Sequence, residues 1–101
     1  MRIITARRLK EFYGKYPNAK TSLTGWNKAA KSAKWQSFAD VRSSFSSASQ
    51  VDNFIVFNIS GNKYRLITYI NYKTQKVFVR HILTHAEYDK NKWKNDDWLE
   101  P

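Results

Sequence analysis

Cysteine is absent from this 101-residue chain, which excludes a disulfide framework, a thiolate nucleophile and a structural zinc site built on thiolates. Acidic side chains are scarce as well: 8 Asp and Glu stand against 18 Lys and Arg, a formal net charge of +10. That excess attracts polyanions at long range, so RNA, DNA and an acidic protein are all partners the charge admits. Long apolar runs are missing. The longest is Phe54-Ile55-Val56-Phe57, far below the roughly 20 residues a membrane helix needs. The first residues carry Arg2, Arg7, Arg8 and Lys10 with no apolar stretch behind them, so they lack the middle region of a secretion signal. No repeat or heptad array is visible. The expectation is a cytoplasmic chain with no membrane segment.

What is present suits one domain spanning residues 1–101, since this length supports a single core and not two. Aromatic residues make up 16% of the chain and include 4 Trp, material for a core and equally for flat surfaces that stack on bases. Arg2-Ile3-Ile4 predicts a brief edge strand, followed by Thr5 as an N-cap. Leu9, Phe12, Tyr13 and Tyr16 recur at i, i+3, i+4 and i+7, one apolar helix stripe that Pro17 ends. Asn18 is then a candidate cap for a second helix. Its stripe is Ala19, Leu23, Trp26, Ala30 and Ala33, with Lys20, Lys28, Lys31 and Lys34 around it. Gly25 weakens this helix without breaking its pattern. Two amphipathic helices joined so tightly predict an antiparallel hairpin.

From residue 36 to 50 the periodicity dissolves into a Ser-rich stretch that reads as a long surface loop, anchored by Phe38, Val41 and Phe45. Residues 54–59, 64–72 and 77–83 are rich in β-branched and aromatic side chains and predict strands. Ser60-Gly61-Asn62 supplies one turn and residues 71–76 the next, so an antiparallel meander is the economical topology. The sheet and the hairpin each have a face to bury, which predicts an α+β fold with the N-terminal helix hairpin packed on a small antiparallel sheet. Thr84 with Glu87 three residues on has capping-box spacing and predicts a short C-terminal helix through Asp89. Beyond it, Lys92 and Lys94 mix with Asp96, Asp97 and Glu100, and Trp93 and Trp98 are candidate anchors.

Period two along the middle strand sets Lys63, Arg65, Ile67 and Tyr69 on one face and Tyr64, Leu66, Thr68 and Ile70 on the other. Alone, Arg65 would read as a solvated surface cation. The next strand brings Arg80 and His81 beside it and ends in Thr84-His85, and clustered cations bind phosphate better than single ones, Arg through a forked donor geometry. Arg80 has two readings of equal weight, an active-site cation and a structural one paired with a carboxylate such as Asp89. His81 shares its face with Val77, Val79 and Leu83, which favours a hydrogen-bonded, packed imidazole over a catalyst.

The densest reactive cluster is Thr84-His85-Ala86-Glu87-Tyr88-Asp89. On a helical turn His85 meets Tyr88 and Asp89 at i+3 and i+4. A metal site there would need a further ligand, and Glu87 points away, so no metal is expected. A capping motif with a solvated imidazole and a general acid–base site both remain open, since an imidazole serves as either acid or base near neutrality. RNA suits such groups: its 2′-hydroxyl can attack the adjacent phosphate when a base takes its proton, a cation steadies the phosphorane and an acid protonates the leaving 5′-oxygen. DNA lacks that hydroxyl. The lysines of the second helix are most simply a solvated face that adds non-specific attraction.

Val56-Phe57-Asn58-Ile59, Gly61-Asn62-Lys63-Tyr64-Arg65-Leu66-Ile67, Val79-Arg80 and Thr84-His85-Ala86-Glu87-Tyr88-Asp89, in this order, resemble the HigB mRNA interferases of bacterial type II toxin–antitoxin modules. The hairpin-then-strands order is similar too. The resemblance implies a RelE-like fold, cleavage of mRNA in the ribosomal A site without a cofactor, and neutralisation by a HigA-type helix-turn-helix antitoxin through which alone operator DNA is contacted. It matches Arg65 to the strand arginine that contacts the scissile phosphate and sets His85 and Tyr88 where terminal catalytic groups sit. Lys63, Arg80 and Asn62 are the accompanying RNA-binding candidates. One departure stands out: residues 54–59 lack the paired lysines of RelE, so Lys63 or His85 would have to replace them. A ParE-like gyrase poison and a non-catalytic RNA-binding module are the alternatives to a nuclease.

Overall fold

Phe54–Ile59 and Tyr64–Asn71 are buried along almost their whole length, and strands buried on both faces need a cover on each side. The computed structural model, which describes residues 1–96, provides two. In chain order the elements are β1 (Arg2–Ile4), α1 (Arg7–Lys15), a 3-10 turn (Pro17–Ala19), α2 (Lys20–Ser32), α3 (Phe38–Ser44), β2 (Ser49–Val51), β3 (Phe54–Ile59), β4 (Tyr64–Asn71), β5 (Lys76–Thr84), α4 (His85–Asp89) and a second 3-10 turn (Lys92–Asn95). The five strands form one sheet in the order β1-β5-β4-β3-β2. All pairs are antiparallel except β1 with β5, which run parallel.

The helices cover one face. Leu9 of α1, Leu23, Trp26 and Ala30 of α2 and Val41 of α3 pack with Phe57, Leu66, Val77 and Val79 from the sheet. Removing each such large apolar side chain from water contributes about 1.5–3 kcal/mol. The opposite face is covered by the C-terminal segment: Trp93 packs with Phe54, Val56 and Ile67, and Tyr69, Leu83 and Tyr88 adjoin it. The α+β architecture, the helix hairpin on a mostly antiparallel sheet and the short C-terminal helix are as the sequence predicts. Among the described residues no helix is long and apolar enough to cross a membrane.

Several local expectations are corrected. Thr5 lies at φ 67° and does not cap α1, whose N-cap is Ala6 without a side-chain bond. Asn18 does not cap α2 either, because Pro17 starts a 3-10 turn that feeds the helix through Ala19. Residues 36–50 are not a loop. Ser37 accepts a bond from the Asp40 amide and starts α3, where Phe38, Val41 and Phe45 turn toward the core, and β2 follows. Asp97, Trp98 and Glu100 lie outside the described residues.

The largest correction concerns β5. Ile67 pairs with His81 but Thr68 pairs with Val79, so Arg80 is an extra residue at a bulge. A bulge resets the alternation of side chains along a strand. Val77 and Val79 therefore face the helices while Leu83 faces the C-terminal segment, and His81 lies opposite Val77 and Val79 instead of beside them.

Candidate active site

Arg65 sits on the face of β4 covered by the C-terminal segment and is 9% exposed. Its turn holds it in place: Nη1 donates to the carbonyls of Asn62 (3.2 Å) and Tyr64 (3.1 Å), and Nη2 donates to Asn62 Oδ1. The turn brings Asn62 back because Ser60 and Gly61 both adopt left-handed backbone, at φ 52° and 68°, a conformation glycine accepts without strain. The guanidinium carbon lies 5.4 Å from the centre of the Tyr88 ring, within cation–π range. Three of the five guanidinium donors are thereby engaged. The Nε–H and one Nη2–H have no acceptor, and no carboxylate forms an ion pair with Arg65, among the described residues.

Tyr88 is held from its other neighbour as well. Its ring stacks on Trp93 at 5.1 Å and 13°, and Trp93 Nε1 donates to the Tyr88 carbonyl at 3.1 Å. Trp93 is itself 4% exposed and meets Phe54 edge-on. The helix carrying Tyr88 starts at a complete capping box: Thr84 Oγ1 accepts from the Glu87 amide (3.2 Å) and Glu87 Oε1 accepts from the Thr84 amide (3.0 Å). This satisfies two amide groups that the first turn would leave orphaned.

His85 follows directly on the paired end of β5. Its amide donates to the Lys63 carbonyl at 2.9 Å, which ties the first residue of α4 to the turn before β4. Its Nδ1 lies 3.0 Å from Asp89 Oδ2, so the i+4 spacing operates, with Asp89 as the imidazole's partner. Side-chain exposure of 42% for His85 and 60% for Asp89 leaves the pair open to solvent. Lys63 is exposed beside it.

Arg80 and His81 are organised by a different carboxylate from the one expected. Asp96 accepts from Arg80 Nε (3.1 Å) and Nη2 (3.2 Å) and lies 2.8 Å from His81 Nε2. Asp89 is not the partner of Arg80. At the bulge, Arg80 and His81 can both reach one carboxylate, and this bridge fastens the chain after Trp93 to β5. Arg65, Asn62, Tyr88, Lys63 and His85 thus gather around the β3–β4 turn and α4, while Arg80 serves the Asp96 bridge. Sequence reasoning did not find Trp93 as the support of Tyr88, nor Asp96 as the partner of both β5 cations. No periodicity signals contacts across a change of direction after α4. Among the described residues no three His, Asp or Glu side chains converge as a metal site would need.

A helix hairpin on a mostly antiparallel sheet, with a buried strand arginine under a C-terminal tyrosine, has the architecture of a small RelE-like toxin. Residues 19–91 match the HigB toxin family, described as the RelE-like toxic component of a toxin–antitoxin system; the chain belongs to that family, and an antitoxin is its partner. It is 36% identical over 92 residues to the mRNA interferase toxin HigB of Escherichia coli strain K12, covering 88% of each chain. It is 34% identical over 96 residues to the mRNA interferase HigB of Escherichia coli O6:H1, covering 89% of this chain and 90% of the relative.

Proposed function

We propose that this toxin is an endoribonuclease that cleaves mRNA on the ribosome in the cytoplasm, with Arg65, His85 and Tyr88 as its catalytic groups and a HigA-type helix-turn-helix antitoxin as its inhibitor. The observation that carries the reading is the state of Arg65: a buried cation beneath a phenol, with no carboxylate partner and two unengaged donors among the described residues. Removing a charge from water without a counter-ion is costly, and a phosphate supplies the missing anion in a geometry guanidinium donors match. The names of the relatives support the same chemistry.

In the reaction, the RNA 2′-oxygen forms a bond to phosphorus as the bond from phosphorus to the 5′-oxygen breaks. With Nδ1 of His85 engaged by Asp89, Nε2 is the ring nitrogen left to take the 2′-hydroxyl proton. Arg65 steadies the charge that builds on the phosphorane oxygens. The Tyr88 hydroxyl gives its proton to the departing 5′-oxygen. The products are a 2′,3′-cyclic phosphate and a 5′-hydroxyl end, with no bond-making step that calls for a metal. Asn62 holds Arg65 and Lys63 adds positive potential beside it, while Arg80, paired with Asp96, holds the C-terminal segment on β5.

The test incubates the purified toxin with a message in two arms, free RNA and translating ribosomes, and maps the new 5′ ends and their chemistry. Cuts at codon spacing in the ribosomal arm, ending in 5′-hydroxyls and lost in Arg65→Ala, support the reading. Intact RNA in both arms overturns it.

A further inference from the structure

Every residue of β3 is buried except Asn58, which is exposed. Side-chain alternation sets Asn58 on the face of Phe54 and Val56, the one covered by the C-terminal segment, while Ile55, Phe57 and Ile59 turn to the helices. In register Asn58 lies directly opposite Arg65, so the two side chains leave the sheet on the same face with Cβ atoms about 4.5–5.5 Å apart. The cross-strand neighbour of Arg65 on the other flank is Leu83, which packs with the apolar cluster of Trp93 and cannot hydrogen-bond through its side chain. The Asn58 amide has two N–H donors and one acceptor, none with a partner among the described residues. Asn is depleted in strands relative to Thr or Val, so the fold gains nothing from this side chain at an exposed strand position.

We propose that Asn58 contacts the substrate: its Nδ2–H groups donate to one non-bridging oxygen of the scissile phosphate while the unengaged Nε–H and Nη2–H of Arg65 donate to the phosphate from beside it. The inference rests on the reading of Arg65 as the phosphate-binding cation. Arg65 is only 9% exposed, with Tyr88 over its guanidinium and Leu83 on its β5 flank, so an anion that meets its free donors comes within reach of Asn58. A neutral amide suits this place. It adds donors without setting a second cation against a guanidinium already held out of water. Unlike a carboxylate, it also leaves Arg65 without a counter-ion until the phosphate arrives; an acidic side chain at this position would take the same donors in a charge-assisted pair.

The experiment measures cleavage of a message on translating ribosomes, with kcat and KM separated, beside thermal melts of Asn58→Ala, Asn58→Thr, Asn58→Asp and Arg65→Ala. Asn58→Ala removes an exposed amide without a partner, so it should hold its melting temperature while kcat/KM falls roughly 10- to 100-fold, the value of one hydrogen bond to a charged group. Asn58→Asp keeps the shape and adds a carboxylate that pairs with Arg65; it should cleave more slowly still and melt higher. Asn58→Thr should melt at or above the unsubstituted protein and still fall short of full cleavage. Full cleavage in Asn58→Ala or in Asn58→Asp, with Arg65→Ala inactive, overturns the inference and leaves the reading of Arg65 standing. Full cleavage in Arg65→Ala overturns both. A loss of cleavage in Asn58→Ala that follows a fall in melting temperature also overturns the inference and makes Asn58 a structural residue.

Discussion

The guanidinium of Arg65 lies under the ring of Tyr88, 5.4 Å from its centre, although 23 positions separate the two residues in the chain. Tyr88 in turn lies 5.1 Å from Trp93, so a cation, a phenol and an indole form one continuous stack on the sheet. The stack makes the position of the phenol depend on the groups on either side of it. A strand residue, a helix residue and a turn residue thereby behave as one unit.

Arg65→Lys preserves the charge but loses the planar fork that reaches both oxygens of Asn62 and the flat face that meets Tyr88. Cleavage should fall by at least tenfold while the melting temperature changes by a few degrees. A steady-state cleavage assay beside a thermal melt checks this. Full activity in Arg65→Lys would show that only charge matters at this position.

His85→Gln should lower the cleavage rate by about 10²- to 10⁴-fold, the usual contribution of a positioned acid or base. Asp89→Asn should cost less, since it removes the partner of Nδ1 and leaves the imidazole in place. Both side chains are substantially exposed, so neither change should unfold the protein. A larger loss from Asp89→Asn than from His85→Gln would reverse the assigned roles. If His85→Gln is harmless and Lys63→Ala is not, Lys63 is the base.

Trp93→Ala opens a cavity against Phe54 and Ile67 and should cost about 3–5 kcal/mol, with the rate falling further because Tyr88 loses its stack and its carbonyl loses the indole donor. Trp93→Phe keeps the apolar contact, so most of the stability should return while cleavage recovers only in part. Denaturant melts and kcat measured on both variants separate the two effects. Equal recovery of stability and rate would reduce Trp93 to a packing residue.

Tyr72 tests burial on the helix side of the sheet. Its hydroxyl is buried without a hydrogen-bond partner among the described residues, and burial, with the Asp40 charge adding, raises its pKa above the usual tyrosine value of 10.0. A folded-state pKa above the unfolded one means that the unfolded chain loses this proton first. Stability should therefore hold up to about pH 10 and decline as pH rises toward the folded pKa. Tyr72→Phe should remove that part of the decline and be neutral or slightly stabilising near neutrality, by up to about 1 kcal/mol. Chemical melts at pH 8 and pH 11 make the comparison; an unaltered alkaline slope in Tyr72→Phe would locate its cause elsewhere.

Much of the fold is legible in local pattern because local pattern is what forms it. The stripes of α1 and α2 sit at helical spacing, and Leu9, Leu23, Trp26 and Ala30 are buried as that spacing predicts. The capping box at Thr84 and Glu87 spans four consecutive residues and closes as read. α3 was within reach of the same reasoning: Ser37 precedes Asp40 by three positions, and Phe38, Val41 and Phe45 follow at i, i+3 and i+7, but the serine-rich composition masked them. The bulge at Arg80 had no such signal, since it arises from how β5 registers on β4.

Sequence alone determined the types of α1, α2, α4 and the strands β1, β3, β4 and β5, though not α3 and β2, together with the α+β class, the charge that favours an anionic partner and the presence of Arg, His and Tyr in the segments that form the candidate site. These follow from periodicity, propensity and composition, which act over a few residues. Tertiary structure alone decided that β1 lies parallel to β5, that Asp96 and not Asp89 takes Arg80, that Asn62 brackets Arg65 and that Trp93 backs Tyr88. Each of these joins groups whose meeting depends on where the chain reverses, and a reversal is set by the packing of the whole sheet.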